Sequence, residues 1–121
     1  MNRIDTLSAC HHRFRFLLEE LSDESGDFLK KSRLVEEFQN EIDVYCSVSA
    51  SFFMDSANKK YGEQYEIQVK NGENIKRRVI ELDPMTNDLT KWNIQVMRLK
   101  EEVENLLFQF EKSIESNVLI T

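Results

Sequence analysis

Leu89, Trp92, Val96, Leu99, Val103, Leu106 and Phe110 place an apolar residue at alternating intervals of three and four, which is the seam of a helix built to lie along other helices. Charged and amide residues such as Lys91, Arg98, Lys100, Glu101, Glu104 and Glu111 fill most of the remaining circumference. The segment therefore has one buried and one wet side. Asp83-Pro84 marks its expected start, with Asp as the cap and Pro at the first helical position, where its missing N–H costs nothing. A helix over about residues 84–116 is roughly 50 Å long at about 1.5 Å per residue.

Two more helices are expected upstream. Over about 3–21, Ile4, Leu7, Phe14, Leu18 and Leu21 keep the same spacing, His11 completes the row, and Phe16 and Leu17 widen it. The cluster Ser22, Asp23, Glu24, Ser25, Gly26 then supplies turn formers. A second helix over about 27–57 has Asp27 at its amino end and Phe28, Val35, Phe38, Ile42 and Tyr45 on its apolar face. In its last third, Val44, Cys46, Val48, Ala50 and Phe52 also alternate at a strand period, but no Gly or Pro interrupts the helical one.

The segment before the last helix has a different period. Tyr65, Ile67 and Val69 alternate with Glu66, Gln68 and Lys70, Asn71-Gly72 follows, and Ile75 to Leu82 return. Alternation around Asn-Gly predicts a β-hairpin over about 64–82, because both turn residues tolerate positive φ. A three-residue Lys70-Asn71-Gly72 loop would set Ile67 opposite Ile75, the register that buries better. The expected fold is α+β and mainly α: a three-helix antiparallel bundle with long second and third helices and the hairpin inserted before the last one.

A chain of 121 residues with three Gly, one Pro and 31% charged residues is expected to make one domain with its own core. Its net charge of −6 disfavours phosphate backbones and anionic lipid as partners. Cys10 and Cys46 are too few for a disulfide framework and read as reduced core residues. Arg3, Asp5, Arg13 and Arg15 interrupt the first apolar pattern, so no signal peptide or membrane span is expected and a cytoplasmic location is.

Candidate chemistry is sparse. Cys10-His11-His12 has the wrong spacing for a helical metal site, whose ligands sit three or four residues apart. No metal or cofactor is expected, and His11 reads as a core or interface histidine with its nitrogens satisfied by a neighbour. The pairs Glu19-Glu20, Glu36-Glu37 and Glu101-Glu102 read as solvated helix faces, with no phosphate loop or nucleophile elbow beside them. Lys76-Arg77-Arg78 is a basic patch that would contact nucleic acid, or else a strand edge kept from aggregating by its charge. Glu63, Glu66, Glu73 and Glu81 interleave with that patch.

The last helix carries more apolar surface than one neighbour can cover, with Phe108 lying off its seam. The expectation is a non-catalytic protein-binding module, of adaptor, chaperone-like, immunity or inhibitor type. It would bind and occlude a protein partner, and form a homo-oligomer, through Trp92, Val96, Leu99, Val103, Leu106, Phe108 and Phe110. The alternatives are a nucleic-acid-associated regulator using Lys76, Arg77 and Arg78, and a small enzyme built around His11, His12 and the carboxylates.

Overall fold

The computed structural model describes residues 3–22, 27–55 and 62–120, with side chains over 5–22, 27–52 and 66–112. Four helices follow one another: α1 (Arg3–Leu21), α2 (Phe28–Asp55), α3 (Gly62–Glu81) and α4 (Leu89–Ile120). Phe14 stacks on Phe38 and Lys30 pairs with Glu20, so α1 and α2 run antiparallel. Tyr45 meets Gln68 and Asp43 meets Lys76 between α2 and α3. Arg78 meets Glu102 and Asn71 meets Asn105 between α3 and α4. Trp92 reaches Leu21 and His11 reaches Phe110, which returns α4 to α1. The result is an up-down-up-down four-helix bundle closed into a ring, and its sparsest seam is α1–α4.

This corrects the α+β expectation. Residues 64–82 form no hairpin, no strand occurs among the described residues, and α3 fills the place of the hairpin, making four helices instead of three. Among the residues whose side chains are described, α3 turns inward Gln68, Asn71, Gly72, Ile75 and Val79, at helical spacing, with Leu82 buried just past its end. Three of those six positions are not apolar, so the helical stripe is invisible to a hydrophobic reading. Meanwhile Ile67 is only half buried and Val69 is exposed, so the alternation that mimicked a strand is not what packs. Gly72 serves close packing between helices rather than a turn: a Cβ there would lie 2.7 Å from Cys46 Sγ.

The start of the last helix differs as well. Asp83-Pro84 lies in a tight turn, in which Met85 N–H donates to Asp83 Oδ1 at 3.1 Å and Thr86 N–H to the Asp83 carbonyl at 3.1 Å. The cap is Asp88, whose Oδ1 accepts from Lys91 N–H at 3.1 Å, one of the orphan donors of a helix start. Asp27 does the same for α2, accepting from Lys30 N–H at 2.8 Å. The contested end of α2 is helical through Asp55. Phe16, expected inside, is 60% exposed, whereas Leu17 beside it is buried.

Candidate functional site

Six of the seven residues singled out for partner binding, Trp92, Val96, Leu99, Val103, Leu106 and Phe110, are buried inside the single chain. From Trp92 to Phe110 the seam is core, with Trp92 against Leu21 and Lys31 and Phe110 against His11, Tyr45 and Phe52, while Leu89 at its start is half exposed; α3, which the strand-like alternation hid, completes the bundle. Phe108 is different: it is 61% exposed. It stands at the rim of a groove of about 620 Å³ between α1 and α4.

The groove follows from the helix periodicity. Leu18 on α1 and Val103 and Leu107 on α4 form its apolar floor, each sealed from below by the core. One helical step outward lie Arg15 and Glu19 on one wall and Lys100, Glu104 and Glu111 on the other. Arg15 Nη2 and Glu111 Oε1 approach to 4.0 Å across the groove, but both side chains are well exposed, and such a pair holds weakly. Exposed Phe108 thus stands over an apolar floor with a charged rim. Phe108, lying off the seam, was the sequence signal for this groove. Arg15 and Leu18 were missed because only the packing of α1 on α4 brings them there.

The other candidates are placed as follows. Lys76 Nζ lies 3.4 Å from Asp43, and Arg78 engages Glu81 at 3.3 Å and Glu102 at 3.8 Å. Lys76, Arg77 and Arg78 therefore sit on a helix rather than a strand edge, with two of the three cations committed to carboxylates. His12 is exposed beside a depression of about 240 Å³ lined by Arg13, Phe16, Leu17 and Glu37. Among the described residues no hydroxyl or thiol nucleophile lines it. Among the described residues no group of three His, Cys, Asp or Glu is placed to hold a metal ion.

His11 is buried, its ring 5.5 Å from Tyr45 and 5.2 Å from Phe110, and its Nε2 has no hydrogen-bond partner among the described residues. That departs from the expectation of satisfied nitrogens. Burial foremost, with Arg15 and His12 adding repulsion, lowers its pKa from 6.5 to about 4. The ring is neutral at neutral pH. Burial and then Glu41 push the Cys10 thiol up to about 11, and burial also raises the Tyr45 phenol and the Cys46 thiol. None of these groups is poised for acid, base or nucleophile work near pH 7. Comparison with known proteins adds nothing to this picture: no family model, no curated protein and no solved structure matches the chain.

Among the described residues no helix is long and apolar enough to cross a membrane.

Proposed function

We propose that this chain is a non-catalytic, cytoplasmic protein-binding module that receives an amphipathic helix of a protein partner in the α1–α4 groove. The observation that carries the reading is exposed Phe108 beside the floor of Leu18, Val103 and Leu107. Apolar anchors of this kind supply affinity in a binding groove. Glu19, Glu104 and Glu111 on the rim outnumber Arg15 and Lys100, and the whole chain carries −6. A helix with basic flanks is therefore the complementary occupant, attracted before contact and held in register after it. Function by occlusion follows, since a helix in the groove loses the apolar face it would offer elsewhere.

The test uses two labelled synthetic helices with the same leucine stripe, one flanked by lysine and one by glutamate. Fluorescence anisotropy should show the lysine helix binding, with Phe108→Ala weakening it by about 10-fold or more and added salt weakening it further. Equal affinity for Phe108→Ala, or preference for the glutamate helix, overturns the reading. Sedimentation without peptide covers the homo-oligomer: a concentration-dependent mass abolished by Phe108→Asp would make a second copy of this chain the occupant.

A further inference from the structure

The contacts of α3 divide it in two. Its second half carries Ile75 and Val79, buried in the common core with Leu82 just past the helix end, and Arg78 tied to Glu102 on α4. Over Glu66–Gly72 the inward positions are Gln68, Asn71 and Gly72 instead, and no residue of that stretch belongs to the buried apolar core. What holds it is polar. Tyr45 Oη donates to Gln68 Oε1 at 3.1 Å, and Asn105 Nδ2 donates to Asn71 Oδ1 at 3.5 Å. Gln68 Nε2 and Asn71 Nδ2 are buried with no partner among the described residues, as is His11 Nε2 across the bundle.

Buried amides with an empty donor favour any state in which water can reach them. Apolar contact favours the closed state, and this stretch has little of it. Segments with few buried apolar contacts are the ones that open below the global unfolding free energy.

We infer that α3 over Glu66–Gly72 is a gate that opens as a unit while α1, α2 and α4 stay packed. It lifts from a line running from Tyr45 to Cys46. Gly72 lies so close over Cys46 Sγ that a single added carbon would collide with it, so the closed gate covers one side of this partly exposed cysteine. Tyr45 in turn contacts His11, Phe14 and Phe110. Opening therefore gives access to the edge of an aromatic cluster that includes the α4 seam residue Phe110, without disturbing the Trp92 end.

The two cysteines make the test internal to the full-length chain. Cys46 lies under the gate, and Cys10 lies on α1, where Glu41 of α2 is its neighbour. Native-state alkylation of each thiol is followed by mass spectrometry over urea concentrations below the unfolding transition, with each rate divided by that of the same thiol in the unfolded chain. The gate predicts Cys46 reacting at least about 10-fold faster than Cys10, with a shallow urea dependence. Asn71→Leu, which removes the orphan donor and adds apolar contact, should slow Cys46 several-fold and leave Cys10 unchanged, and Gln68→Met paired with Tyr45→Phe, so that no buried hydroxyl loses its acceptor, serves as an independent second variant. Equal normalised rates with the same steep urea dependence mean that the thiols are reached only by global unfolding, and overturn the gate. A fast Cys46 that neither variant slows is static exposure, which overturns it as well.

Discussion

The two ends of this bundle are built on different principles. At the end where α1 finishes and α4 begins, Trp92 is 1% exposed. Its Nε1 donates to the Leu21 carbonyl at 3.0 Å, which satisfies a carbonyl that the end of α1 leaves free. Lys31 Nζ lies 4.7 Å from the centre of the same ring, so its buried stem ends on a π face. At the level of His11, Tyr45, Gln68 and Asn71 the helices meet through polar side chains, and three nitrogens go without partners among the described residues. One fold thus contains a satisfied apolar plug and a half-satisfied polar layer. The plug supplies stability. The layer contributes less of it, and leaves the helix that closes the ring open to solvent at lower cost.

The contrast can be broken at its strong end first. Trp92→Ala should cost about 3–5 kcal/mol in urea unfolding, the range for emptying a large aromatic site, and it also strips the Leu21 carbonyl of its donor. A loss below about 1 kcal/mol would remove the plug from the account.

Next is pH. His11 in the folded chain titrates at about 4 against 6.5 for an unperturbed ring, so between those values the unfolded chain binds more protons. Stability should be full above about pH 6.5 and fall progressively toward pH 4, by about 3 kcal/mol in the limit. His11→Phe should flatten that part of the profile. An unchanged slope would assign the acid loss to other groups.

Smaller effects sharpen the polar side. Gly72→Ala should gain up to about 1 kcal/mol of helix propensity yet show little or no net gain, because the new methyl meets Cys46 Sγ at 2.7 Å. In a Cys46→Ala background the gain should emerge, giving a coupling of about 1 kcal/mol by double-mutant cycle. Smallest of all, Asn71→Leu should stabilise by roughly 1 kcal/mol or less, since it deletes a buried Nδ2 with no partner among the described residues and leaves Asn105, an exposed side chain, free to bond water. Destabilisation by that change would mean the amide is satisfied in solution.

The same division decides what could be read from the residues alone. Helices α1, α2 and α4 announce themselves because their inward rows are apolar and the row is the signal. In α3 the inward row begins with an amide, a second amide and a glycine, while Ile67 and Val69 alternate beside it and Asn71-Gly72 imitates a hairpin turn. Local pattern pointed to a strand, and packing against α2 and α4 prevailed. Losing one helix then distorted the functional reading. A long seam with too few neighbours looked like an interface, whereas with α3 in place the row from Trp92 to Phe110 is core and, of the seven residues assigned to a partner, only Phe108, off that row, faces the solvent. The groove itself is a product of assembly, since Leu18 and Leu107 are far apart in the chain. Its aromatic anchor was legible and its second wall was not.

The most direct test of the unequal bundle is native-state hydrogen exchange resolved by residue. Amides around Leu99 and Val103 on α4 should exchange only through global unfolding, while those of Gln68–Gly72 exchange through a smaller opening, at least about 10-fold faster and with little urea dependence. Protection that is uniform from α3 to α4, with one steep urea dependence for all, would contradict the account.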